Sequence, residues 1–310
     1  MKKVLVAGGA GFIGSHLCEA LIENKKEVFC VDNLISGNKK NIEHLLEKEN
    51  FHFLQENINS FVFEEKVDEV FHLASLASPV DYFSKPLETM LVGSIGTKNL
   101  LDLAVKNKAK FLFTSTSEVY GDPLEHPQKE SYWGNVNPIG ERSCYDESKR
   151  FSEALIKTYE KEFGFKGKIV RIFNTFGPRM RINDGRVVPN FINQALNDKP
   201  LTIFGSGKQT RSFCFISDMI EGLIKMMDSN FFGPVNLGNL EEYSILDFAE
   251  KIKELSEKKL EIEFKPELKD DPKKRKPDIS LALKQLNWQP KVSLNQGLMI
   301  TMDYFRNTNL

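Results

Sequence analysis

The stretch Lys3-Val4-Leu5-Val6-Ala7-Gly8-Gly9-Ala10-Gly11-Phe12-Ile13-Gly14 decides how this chain folds. Five residues of strand character run straight into a glycine-rich turn, and the apolar spacing of Ile13 to Glu23 predicts a helix directly after it. Gly8 permits the tight turn, Gly11 lets the backbone approach a phosphate, and Gly14 lets the helix pack closely. A helix starting there offers unpaired backbone N–H groups and the positive end of its dipole to a pyrophosphate. Asp32 then closes the second predicted strand, in Cys30-Val31-Asp32-Asn33. Its carboxylate is placed to accept hydrogen bonds from an adenosine ribose and to repel a 2′-phosphate, so NAD is favoured over NADP. The expected cofactor-binding residues of this unit are Gly8, Gly11, Phe12, Ile13, Gly14, Asp32 and Asn33.

Outward from that unit, apolar runs at Lys3 to Ala7, Val28 to Val31, Phe51 to Gln55, Glu69 to Leu73, Phe111 to Ser115 and Lys168 to Ile172 alternate with helical patterns. Ile13 to Glu23, Gly96 to Lys106 and Tyr145 to Phe163 carry apolar residues three and four apart. Strands separated by crossover helices predict an α/β fold with a doubly wound, Rossmann-type parallel sheet. After Asn174 the texture changes to G-P-R-M-R-I-N-D-G-R and then to shorter elements, with a strand-like run at Arg211 to Ile216. We expect residues 1–173 to form the NAD-binding domain, joined by a returning segment near 212–240. Residues 174–310 should form mainly a smaller C-terminal substrate-binding domain. Lys265 to Asp278, rich in proline and charge, reads as a solvated loop.

The chain of 310 residues can bury a sizeable core without disulfide or metal staples. Its 42 Lys+Arg against 43 Asp+Glu leave a net charge of −1, so nothing in the composition draws it to nucleic acid or an anionic membrane. Cys18, Cys30, Cys144 and Cys214 lie far apart with no C-x-x-C or histidine pairing. That pattern argues against a disulfide framework or a zinc site, and for a reducing, cytoplasmic setting. The apolar run after Met1 breaks early into glycines, and no other run has the length of a bilayer span.

Tyr145 and Lys149 are four residues apart and share one face of the predicted helix. Ligands of doubly wound sheets sit beyond the carboxyl ends of the strands, and Thr116, Ser117 and Glu118 fall at such an end in F-L-F-T-S-T-S-E-V-Y-G. The combination describes an alcohol-oxidising site. A phenol with a reference pKa near 10 must fall about three units to act as a base at neutral pH, roughly 4 kcal/mol of differential stabilisation. Lys149 and a positive nicotinamide ring can provide it, with Thr116 binding the substrate oxygen as Tyr145 removes its proton.

Together these motifs resemble the extended short-chain dehydrogenase/reductase superfamily and, within it, the UDP-glucuronate decarboxylase family. The likeness covers nearly the whole chain. It is carried by T-S-T-S-E-V-Y-G-D-P-L-E-H-P-Q, Y-W-G-N-V-N-P-I-G, C-Y-D-E-S-K-R, R-I-F-N-T-F-G-P-R-M, D-G-R-V-V-P-N-F and D-D-P-K-K-R-K-P-D. The resemblance implies that Tyr145 and Lys149 are the catalytic pair, joined by Thr116, Glu118 and Arg275, the last two acting around the sugar carboxylate. Asn174 and Arg211 would contact the nucleotide diphosphate, Ser117 and Arg179 would complete the substrate set with Arg275, and Asn57, Ile58 and Leu73 would complete the cofactor site. For Arg275 the resemblance overrides the loop reading, since a guanidinium fork suits carboxylate or phosphate oxygens.

The implied reaction uses NAD and needs no metal. Oxidation at C4 of UDP-glucuronate puts a ketone β to the C5 carboxylate, CO2 departs, the enolate is protonated at C5, and the NADH formed first reduces the ketone to UDP-xylose. The resemblance also implies a homodimer packed through helices such as Gly96 to Lys106 and Tyr145 to Phe163. Three positions depart from the family pattern: Asn57 stands in place of an aspartate near the adenine, Leu76 in place of a proline, and Gly93 in place of an asparagine that supports the substrate site. A nucleotide-sugar 4-epimerase or 4,6-dehydratase shares the same core motifs. Ser117-Glu118 speaks against the Asp-Glu pair of a dehydratase, and an epimerase leaves Glu118 without a task. An NAD-binding partner protein without catalysis is the remaining alternative, opposed by intact Thr116, Tyr145 and Lys149.

Overall fold

The computed structural model describes residues 1–267 and 272–308. Asp270 and Asp271 of the D-D-P-K-K-R-K-P-D segment lie outside the described residues. The first half contains β1 (Lys3–Ala7), α1 (Phe12–Glu23), β2 (Glu27–Val31), β3 (Phe51–Leu54), β4 (Glu69–His72), α2 (Pro79–Ser84), α3 (Pro86–Leu91), α4 (Thr97–Asn107), β5 (Lys110–Thr116), α5 (Ser143–Phe163) and β6 (Gly167–Ile172). A π-helical turn, Val92–Gly96, joins α3 to α4. The second half contains β7 (Thr175–Phe176), α6 (Val187–Leu196), β8 (Leu201–Phe204), β9 (Thr210–Ser212), β10 (Cys214–Phe215), α7 (Ile216–Asp228), β11 (Pro234–Leu237), β12 (Glu242–Ser244), α8 (Ile245–Ser256), β13 (Ile262–Lys265), β14 (Lys274–Arg275), α9 (Ser280–Leu286) and α10 (Leu294–Thr308).

Seven strands form one parallel sheet in the order β11-β6-β5-β4-β1-β2-β3. This is the doubly wound, Rossmann-type architecture that the alternating pattern predicts. Strand β1 shows why: Val4 and Val6 enter one apolar core, and Leu5 and Ala7 enter the other, so both faces must be covered. Leu17 and Leu21 of α1 and Leu223 of α7 cover the first face, while Leu100 and Ala104 of α4 and Ile156 of α5 cover the second. The first core continues into the second half through Phe213, Phe248 and Trp288. Strand β11 pairs with β6 from Pro234↔Ile169 to Leu237↔Ile172, so a late segment of the chain closes one edge of the main sheet. Among the described residues, no helix is long and apolar enough to cross a membrane.

Two stretches differ from their sequence reading. Arg211 to Ile216 is not one strand: β9 pairs with β12 and β14, β10 pairs with β7, and Ile216 opens α7. Phe213 sits between the two short strands, stacked on Phe248 at 4.5 Å, and anchors the change of sheet. Consecutive buried residues serving two sheets in turn carry the same apolar signal as one strand. The stretch read as a solvated loop contains β14, whose register sets Arg275 against Arg211. Pairing with β9 and the burial of Arg275 outweigh its proline and charge content.

Candidate active site

A cavity of about 530 Å³ opens beyond the carboxyl ends of the sheet strands and extends between the main sheet and the second half of the chain. The glycine loop forms one end of it. Gly8 has φ +82°, and a Cβ there would lie 2.6 Å from the Ala74 backbone nitrogen. A Cβ on Gly14 would lie 2.1 Å from the Gly8 carbonyl oxygen, so α1 starts in contact with the turn that precedes it. Gly11 caps α1 without a side-chain hydrogen bond, which leaves first-turn N–H groups for an anion.

Asp32, buried at the end of β2, accepts from the Ala10 N–H at 3.0 Å and the Leu34 N–H at 2.8 Å. Burial pushes its carboxyl up, and those two backbone donors pull it back. Asn33, Ile58 and Leu73 line the same end, as does Asn57, whose side-chain oxygen accepts from the Asn59 N–H at 3.0 Å. The residues present fit an adenine dinucleotide: a phosphate cradle without Cβ atoms, open N–H groups, and a carboxylate at the end of β2, the strand paired with β1. Purified protein should bind NAD more tightly than NADP in a titration followed by quenching of Trp fluorescence. Equal affinities would remove the role given to Asp32.

Tyr145 and Lys149 lie on the first turns of α5 and are both buried. The Tyr145 ring stacks on Tyr82 with centroids 5.3 Å apart, and its hydroxyl hydrogen-bonds Thr116. Lys149 Nζ donates to the Thr114 carbonyl at 2.8 Å and stands 5.9 Å from the Tyr145 ring centroid. Burial raises the Tyr145 phenol to about 12 and lowers the Lys149 ammonium to about 7. Desolvation thus outweighs the help that the sequence reading assigns to Lys149, and the phenol requires a further positive charge beside it.

Glu118 follows Thr116 in a single 3₁₀ turn, its N–H held by the Thr116 hydroxyl at 3.2 Å. Arg275 grips the Glu118 carboxylate with both terminal nitrogens, one contact being a short ion pair with Oε1 and the other 2.8 Å to Oε2. Arg142 Nη2 also donates to Oε2, at 2.6 Å. Burial alone would raise this carboxyl, but the Arg275 and Arg142 guanidiniums hold it down at about 2. Arg211, buried beside Arg275, adds to that effect and donates to the Thr210 carbonyl at 2.9 Å. Ser117 and Asn174 line the same part of the cavity. Arg179 lines it too, with φ +68°, but its Nη2 donates to Glu19 of α1 at 2.6 Å.

The structure adds cavity residues that sequence reasoning missed. Arg142 and Tyr82 flank the Glu118–Tyr145 region, the Arg142 guanidinium standing 6.0 Å from the Tyr82 ring centroid. Arg181 forms a short ion pair with Asp81 and donates to the Ser78 hydroxyl at 3.2 Å, and Arg186 forms one with Asp184. For Arg181 and Arg186 the close spacing of arginines in G-P-R-M-R-I-N-D-G-R was a sequence signal. Gly93 lies in the π-turn, where its carbonyl accepts from the Ser152 hydroxyl at 2.6 Å and a Cβ would meet the Ser148 Cβ at 2.7 Å. A larger residue would push this turn away from α5. Leu76 is buried at the cavity wall.

Residues 4–238 match the NAD dependent epimerase/dehydratase family. The chain belongs to that family. It is 52% identical over 305 residues to UDP-glucuronic acid decarboxylase 1 of Arabidopsis thaliana, covering 98% of this chain and 70% of the relative. With UDP-glucuronic acid decarboxylase 1 of Danio rerio it shares 50% identity, covering 98% of this chain and 72% of the relative. Among solved structures it is similar to UDP-glucuronic acid 4-epimerase from Bacillus cereus in complex with UDP-glucuronic acid and NAD, at TM-score 0.90 and 33% identity over 99% of each chain. UDP-glucose 4-epimerase from Thermotoga maritima, with UDP-glucose, gives TM-score 0.91 and 31% identity over 99% of this chain and 100% of that one.

Proposed function

We propose that this family member is an NAD-dependent decarboxylase that converts UDP-glucuronate to UDP-xylose and CO2. The observation that carries the reading is the pair of guanidiniums, Arg142 and Arg275, converging on Glu118 in the cavity that holds Tyr145 and Lys149. A carboxylate-bearing sugar suits such a site, and relatives near 50% identity over nearly the whole chain are named for this reaction. Bound NAD supplies a positive ring beside the phenol and a hydride acceptor that returns its hydride at the end of the cycle.

Tyr145 takes the proton of the C4 hydroxyl and gives it back when the ketone is reduced. Thr116, hydrogen-bonded to that phenol, holds the reacting oxygen, and Lys149, anchored on the Thr114 carbonyl, stands beside the ring. Arg275 and Arg142 hold the C5 carboxylate side of the ring in register with Glu118. Asn174 and Arg211 serve the diphosphate, with Ser117 beside the sugar. The Arg179–Glu19 contact supports a second role for Arg179, tying the segment after β6 to α1.

Incubation with UDP-glucuronate should give one CO2 per UDP-pentose and no net NADH, read by mass and by absorbance. UDP-glucose, lacking the carboxylate, should give neither CO2 nor pentose. UDP-galacturonate as the main product would instead favour a 4-epimerase, the activity for which the Bacillus cereus neighbour is named.

A homodimer is supported by the apolar side chains that α3, the π-turn and α5 leave exposed: Leu87, Met90, Ile95 and Phe151. Sedimentation should give twice the chain mass. The four buried, unpaired cysteines support a reducing, cytoplasmic setting.

A further inference from the structure

Decarboxylation consumes a proton. The C5–C6 bond breaks, its electron pair passes into the C4 ketone as an enolate, CO2 leaves, and a new C5–H bond forms. Tyr145 cannot supply that proton without loss, because the one it takes at C4 is returned at C4. Glu118, held as an anion by two guanidiniums, is a poor source unless it is resupplied. Solvent must therefore deliver one proton per turnover to the carboxylate end of the site.

Behind Glu118 lies a second cavity of about 60 Å³, with Arg142, Asp146, Asn135, Asn137 and Asp122 in its wall. Of these, Asp122, Asn135 and Asn137 are exposed and Asp146 is buried. The space is enough for a short chain of waters, which need polar partners. Asp146 lines the cavity, and its Oδ1 is buried without a hydrogen-bond partner. The residue follows Tyr145 on the first turn of α5.

We propose that Asp146 and this second cavity carry the solvent proton consumed at each decarboxylation to Glu118, the last group before C5. The inference rests on the decarboxylase reading above. The groups acting on Asp146 come from every side: Glu118 from the turn after β5, Arg142 before α5, Arg275 from β14, and Glu147 from its own helix. Asp122 shares the cavity wall. Burial first, then Glu118, raises the Asp146 carboxyl to about 7, against the pull of Arg142 and Arg275. Such an acid exchanges protons with water near neutral pH, as a relay requires.

The test is Asp146→Asn in the full chain, with UDP-glucuronate as substrate. Turnover at pH 7 should fall about tenfold with KM unchanged within about twofold, while NADH formation on first mixing keeps its rate. The solvent deuterium isotope effect on turnover should rise, and the limb of the pH profile near neutrality should vanish. Asn137→Phe, which adds bulk at an exposed wall residue and leaves the buried acid in place, should also slow turnover and raise the isotope effect. Turnover within about twofold of normal, with isotope effect and pH profile unmoved, overturns the proposal, as does an equal loss of first NADH formation and turnover. Normal turnover in Asn137→Phe overturns the cavity as the route. Failure of the unaltered protein to release CO2 overturns the decarboxylase reading instead.

Discussion

Replacing Tyr145 with phenylalanine should lower turnover of UDP-glucuronate by at least about 100-fold, the scale of losing a general acid–base group. The substitution removes one oxygen and keeps the ring, so stacking on Tyr82 and the fold should survive. UDP-sugar and NAD binding should stay near normal in calorimetric titrations. The size of the effect follows from the starting point. A phenol raised to about 12 by burial stands about five units above neutral pH, roughly 7 kcal/mol from being half ionised there. That gap must be closed by positive charge near the phenol before the C4 proton can leave, and phenylalanine offers nothing to ionise. In the unaltered enzyme the rate should therefore rise with pH as the phenol titrates, and this limb should be missing from the variant. Near-normal turnover in Tyr145→Phe would remove the phenol from the mechanism.

Changing Glu118 to Gln should cost turnover on the order of 100-fold as well, but at a different step. First NADH formation should persist, because Tyr145, Thr116 and Lys149 are untouched. Steady-state CO2 release should fall with turnover, because on the proposed route the enolate left after CO2 departs is no longer protonated at C5. Stability should also drop by about 3 kcal/mol, because Arg275 and Arg142 would keep their buried charge and lose the carboxylate that balances it. The linkage has a defined sign. Glu118 is held at about 2, below its unfolded value near 4.5, so its contribution is full above about pH 4.5 and fades as pH falls toward 2. Thermal melts from pH 7 to pH 3 should bring the two proteins' midpoints together, and a constant gap across that range would refute the assignment.

Much of this was legible in one dimension because it depends on neighbours in sequence. Strand, glycine turn, helix and following acid all fall between Lys3 and Asp32, and hydrogen bonds from Ala10 and Leu34 to Asp32 close that unit on itself. Tyr145 and Lys149 share a helix face by spacing alone. Alternation of apolar runs and helices sufficed for the parallel sheet, since a strand covered on both faces, as β1 is from Val4 to Ala7, must be apolar where it is covered.

Tertiary structure decided what converges on Glu118. Arg142 lies 24 residues away and Arg275 157 residues away, and no periodicity links either to the strand end after β5. Arg275 arrives through two residues of β14 in a stretch that composition marks as solvated loop. The split of Arg211 to Ile216 between two sheets was equally hidden, because burial shapes a sequence without naming the partner that does the burying. Protonation lay beyond the sequence for the same reason. Tyr145 at about 12, Lys149 at about 7 and Glu118 at about 2 follow from burial and from charges brought together by the fold. Local spacing sets which groups are present, whereas desolvation and charge proximity exist only once distant segments have packed.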